Sequence, residues 1–98
     1  MPADDALNET VIFELLDHSG AERLCGRLRP RWHTGMYECE DIVLVAAELR
    51  PEQEDLSTLL RAVQLWAADD LLGALRFHLD GRAYVLEAEL ASWSAAVA

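Results

Sequence analysis

Asp80-Gly81 separates two runs of alternating apolar and polar residues, and no other pair in the chain limits the fold so tightly. Asp-Gly is a preferred two-residue type I′ turn, with both central residues at positive φ. A two-residue loop also sets the register of the strands it joins. Leu79 must face Arg82, His78 Ala83, Phe77 Tyr84, and Leu75 Leu86. One face of the hairpin then carries Leu75, Phe77, Tyr84 and Leu86, with Leu79 beside them. This aromatic and aliphatic ladder is a surface for a helix to pack on. The other face carries Arg76, His78, Ala83 and Val85 and is left partly wet.

A helix precedes the hairpin. Leu56, Leu59, Leu60, Val63, Trp66, Ala67 and Leu71 recur at three- and four-residue steps, which stacks them on one face of a 3.6-residue period. Pro51 suits a first helical position, and Glu52, Glu54 and Asp55 favour the positive end of the backbone dipole. Gly73 is a natural stop. Asp69 and Asp70 sit at the wrong end of that dipole, so fraying is expected there.

The earlier part of the chain reads as strands. Thr10 to Leu16 is a near-continuous apolar run, as in a strand covered on both faces or one at a subunit contact. Asp17-His18-Ser19-Gly20 is a turn cluster. In Ala21 to Arg29, Leu24, Gly26 and Leu28 alternate with Arg23, Cys25, Arg27 and Arg29, which reads as a second strand bearing a basic stripe. Arg29 to Gly35 is a loop. Tyr37 to Leu49 resumes strand character, densest at Ile42 to Val45, as one long bent strand or two short ones. Pairing the second and third strands about Trp32 sets Cys25 opposite Cys39.

The expected fold is α+β: an antiparallel three-stranded meander, one amphipathic helix, then a two-stranded hairpin (β-β-β-α-β-β), with the helix packed on one sheet face. The hairpin is placed beside the meander in one five-stranded sheet, the alternative being two small sheets around the helix. Ninety-eight residues make a single domain, 1–98, with 1–9 and 90–98 as loosely attached ends.

Charge narrows the partners. Eighteen Asp and Glu stand against eight Arg and no Lys, a net charge of -10 that opposes direct contact with nucleic acid or an anionic membrane. No export signal is read in the acidic Met1 to Asp5, and no apolar stretch is long enough to span a bilayer, so a cytoplasmic setting is expected. There the two cysteines are expected as thiols.

No motif supports chemistry. Cys25, Cys39, His18 and His33 lack the paired spacing of a zinc site. A nucleophilic Cys25 or Cys39 would need a base, with His78 as a candidate, and neither cysteine sits at a strand-to-helix elbow. Glu38, Glu40 and Asp41, with Glu14, read as a solvated strand edge before they read as a cation site. No catalytic residue, metal or cofactor is expected. The candidate partner-binding residues are Trp32, Arg27, Arg29, Arg31 and Tyr37: an aromatic loop anchor beside guanidiniums suited to carboxylates.

The expected function is a non-enzymatic protein-interaction module acting as a homodimer. One helix cannot cover both faces of a sheet containing Val11 to Leu16 and Ile42 to Val45, and a symmetric copy can. The alternative is an acidic inhibitor or antidote-like protein bound to a basic partner, and the third is a small metal- or thiol-dependent enzyme.

Overall fold

The computed structural model describes residues 9–70 and 72–87. The order of elements is β1 (Thr10–Leu15), α1 (His18–Leu28), β2 (His33–Cys39), β3 (Ile42–Glu48), α2 (Asp55–Asp69), β4 (Ala74–Leu79) and β5 (Arg82–Glu87). All five strands form one antiparallel sheet in the order β2-β3-β1-β4-β5. The α+β class and the single sheet agree with the sequence reading. The expectations for 1–8 and 88–98, and the place of Leu71 on the helix stripe, lie outside the described residues.

The hairpin register is as the Asp80-Gly81 turn requires, from Leu79 against Arg82 to Leu75 against Leu86. Both turn residues take positive φ, 56° at Asp80 and 78° at Gly81. Phe13, Phe77 and Tyr84 run as a ladder across three strands, with ring centroids 5.9 and 5.2 Å apart. The helix stripe is also as read, with Leu59, Val63, Trp66 and Ala67 buried on α2. The strand candidate at 37–49 resolves into two, with the break at Glu40-Asp41.

The second expected strand is instead a helix, so there is no three-stranded meander. Ala21, Leu24, Cys25 and Leu28 are buried in α1 at the three- and four-residue steps of a helical face. Leu24 and Leu28 fit a strand face equally well, because a four-residue step is in phase with both periods. Cys25 breaks the tie, since it is buried beside Leu24. The supposed turn is the helix start: the Asp17 carboxylate accepts a hydrogen bond from the Gly20 N–H, as an N-cap does. The correction also separates the two cysteines: both are free, Cys25 buried and Cys39 exposed.

With α1 in place the topology changes. β1 and β2 become parallel strands joined by α1, with β3 inserted between them. β3 and β4 are joined by α2, with β1 inserted between them. These are two interleaved split β-α-β units, a ferredoxin-like order, with β5 added at one edge. Such an order carries no function by itself. Both helices lie over one sheet face. Arg23 of α1 makes a two-point bond to Asp70, at 2.9 and 2.7 Å, and Arg27 reaches Asp69 at 3.0 Å. The two carboxylates that oppose the α2 dipole are thereby matched by cations from its neighbour, and α2 runs helically through Asp69. The Arg23 hydrogen bond is the main reason the Asp70 carboxyl is held below its usual range. No helix among the described residues is long and apolar enough to cross a membrane.

Candidate interaction face

Alternation along each strand sorts the sheet residues into two sets. Val11, Phe13, Leu15, Val43, Val45, Ala47, Leu75, Phe77 and Leu86 point to the helices and are buried. Their neighbours point the other way, to a face that no described element covers. Ile12, Ile42, Leu44 and Ala46 lie half-buried along β1 and β3. Val85 on β5 is 66% exposed and Tyr37 on β2 is 60% exposed. The Tyr37 ring lies back over Gly35, where an added Cβ would come within 2.9 Å of the hydroxyl and 3.2 Å of the ring. Gly35 therefore lets an aromatic ring lie flat on the sheet.

Near the middle of this face His78 Nε2 and Glu14 Oε2 share a hydrogen bond. Register explains the meeting: Ile12 is opposite His78, so Glu14, two residues on, is its diagonal neighbour. The pair borders a shallow cavity of about 450 Å³ floored by Ile12, Ile42 and Leu44. In the sequence Glu14 stands with Glu38, Glu40 and Asp41 as a strand-edge carboxylate. Only the β1–β4 pairing brings it to His78.

The five residues read from sequence as partner-binding do not share one surface. Arg27 lies on α1, paired with Asp69. Arg29 caps the end of α1 and is exposed. Trp32 is 3% exposed, so it is not a loop anchor open to solvent. Its indole N–H donates to Asp55 Oδ2 at 3.0 Å, and Arg31 and Arg50 lie over its ring at 5.2 and 5.4 Å. Tyr37 alone reaches the open face.

Asp55 was missed as anything but a helix-start charge. It is 4% exposed and also accepts from the Arg50 backbone N–H at 2.8 Å and from its guanidinium at 3.0 and 2.6 Å. Burial pushes the Asp55 carboxyl up, but the bonds from Arg50 and Trp32 outweigh it and hold the group below its usual range. A buried carboxylate satisfied on this many sides ties the 29–32 loop, the β3 exit and the α2 start together. Its role is structural.

The chemistry-bearing residues are dispersed. His18 contacts Glu22 and Glu38, 3.5 and 3.2 Å away. Burial pushes the Cys25 thiol up, which opposes the thiolate a nucleophile needs. Among the described residues no three of His, Cys, Asp and Glu converge in a way that could hold a metal ion. A cleft of about 390 Å³ between the start of α1 and β4 includes Leu16, Asp17, Asp70 and Arg76. Asp17 and Asp70 are engaged there as a helix cap and an ion pair. Comparison of the chain with protein-family models, with curated proteins and with solved structures returns no match.

Proposed function

We propose that this chain is a non-enzymatic interaction module that pairs with a second copy of itself through the open face of its sheet. The carrying observation is that face: Ile12, Ile42, Leu44, Ala46 and Val85 surrounding a hydrogen-bonded Glu14–His78 pair, with no described element over them. Five strands spaced ~4.8 Å apart and six residues long at ~3.3 Å each make a footprint of roughly 24 by 20 Å. That flat footprint of about 480 Å² is a little over half of the ~800 Å² per partner of a standard stable interface, the size of a weak pairing.

Charge favours a second copy as the occupant. The chain carries a net charge of -10. On the open face, however, Glu14, Glu48 and Glu87 are interspersed with Arg76, His33 and His78. A face with both signs can meet its own image without the repulsion that the rest of the surface would impose. The arginine pairs on Asp55, Asp69 and Asp70 lessen the support for an acidic inhibitor, which needs bare carboxylates on one side. Two unpaired cysteines suit a reducing, cytoplasmic setting.

Native mass spectrometry with light scattering tests this. A dimer is expected, and Leu44→Arg is expected to raise its Kd by about 30-fold or more while leaving the monomer's far-UV circular dichroism unchanged. A strict monomer up to about 1 mM overturns the reading.

A further inference from the structure

The Glu14–His78 pair lies within the apolar part of the open face, where a dimer must bury it. Side-chain exposure is 22% for Glu14 and 38% for His78, so most of what remains to be desolvated belongs to the pairing event. With one proton between them the two side chains are neutral as a unit. With none, Glu14 is a bare carboxylate bonded to a neutral ring. Histidine is the side chain whose charge changes near neutral pH. An uncompensated carboxylate is far costlier to bury than a neutral hydrogen-bonded pair.

Among the described residues His78 is the one group ion-paired to Glu14 on this face. His78 is opposite Ala83 on β5 and Ile12 on β1. From β3 the facing residues are Ile42, Leu44 and Ala46, with Glu48 at the strand end. From β5 they are Ala83 and Val85, with Glu87 at the end. The turn adds Asp80, and β2 adds His33, Tyr37 and Cys39 at the far edge. Continuing the β1–β4 register places Arg76 across from Glu14, but its side chain is exposed, and among the described residues no ion pair joins the two. His78 is the one imidazole in contact with Glu14, and His18 lies off the face, against α1 and Glu38.

We propose that pairing of two copies through this face is linked to protons at Glu14 and His78, so that the dimer takes up protons as it forms and loosens as pH rises. The inference rests on the homodimer reading above. Up to two protons are taken from solvent per dimer, one at the Glu14–His78 pair of each copy. By linkage the Kd then rises by at least about tenfold between about pH 6 and pH 8, with a slope of log Kd against pH no steeper than about two.

The test is sedimentation equilibrium of the full chain across that range, with calorimetric dilution in two buffers of different ionisation enthalpy to count protons. Wild type is expected to show the rise in Kd and net proton uptake on association. Glu14→Gln, a near-isosteric change, is expected to remove the proton uptake and the rise in Kd with pH, and any residual slope has the opposite sign because an unpaired His78 is cheapest to bury neutral. His33→Gln is expected to keep the wild-type profile. A rise in Kd with pH that survives in Glu14→Gln, or one that vanishes in His33→Gln, overturns the proposal. So does a wild-type dimer whose Kd does not change with pH, an outcome that leaves the homodimer reading standing. A wild type that is monomeric throughout the range removes both.

Discussion

The two faces of the sheet obey one alternation and reach opposite ends. On the helix side Val11, Phe13 and Val45 have no exposure at all. One residue along each strand, Ile12, Glu14 and Leu44 are half-buried, and no described element beyond the sheet lies over them. Among the described residues the first face buries apolar side chains apart from the Thr34 hydroxyl on β2, and the buried charge at its rim, Asp55, has its oxygens satisfied by Trp32 and Arg50. The second carries a titratable pair near its centre. The first face is built to be sealed. The second leaves half-buried apolar side chains around a polar pair, with no described element over them.

Substitutions can sharpen or break that contrast. Phe13→Ala on the sealed face should cost about 4 kcal/mol of unfolding free energy by chemical denaturation, since it leaves a cavity under both helices. Ile12→Ala, one residue away on the open face, should cost under about 1.5 kcal/mol in the monomer. Equal losses would mean that the open face is as load-sharing as the covered one. Next in size is Asp55→Ala, expected to cost about 3 kcal/mol, because the Trp32 N–H and the Arg50 guanidinium lose a buried acceptor together. A loss under about 1 kcal/mol would show that the rim network contributes little.

Acid probes the same network. The folded Asp55 carboxyl is held below the ordinary value, so the unfolded chain binds its proton more readily. Its contribution is therefore fully present above about pH 4 and is lost as pH falls through the folded value. Urea midpoints should fall as pH drops below about 4 in wild type, and fall less in Asp55→Asn. The smallest expected effect is at the β2–β3 turn. Glu40 takes a φ of 54°, in the left-handed region that asparagine tolerates better than glutamate. Glu40→Asn should stabilise by about 0.5 kcal/mol, with the midpoint shift as readout.

How much was legible in the sequence can be argued from particular residues. Asp80-Gly81 is a local instruction: the turn needs two residues that accept positive φ, and the pairing from Leu79 to Leu75 follows from two-residue closure alone. The α2 stripe is equally local, because Leu59, Val63, Trp66 and Ala67 satisfy only one period. Ala21 to Leu28 was read wrongly for a physical reason. Leu24, Leu28, Arg23 and Arg27 fall on consistent faces at both periods, so Cys25 and the Asp17 cap held the deciding information and were read as strand and turn.

The sequence by itself determined the hairpin, its register, the amphipathic second helix, and the apolar surplus in Val11 to Leu16 and Ile42 to Val45 that one helix could not cover. These depend on neighbours a few residues apart. Only the tertiary structure decided that β1 runs between β3 and β4, that Trp32 turns inward to Asp55, and that Asp69 and Asp70 meet Arg27 and Arg23. It also decided that Glu14, 64 residues from His78 in the chain, shares a hydrogen bond with it. Such meetings depend on strand order, which is set by burying both helices on one side, and short-range pattern carries no record of it.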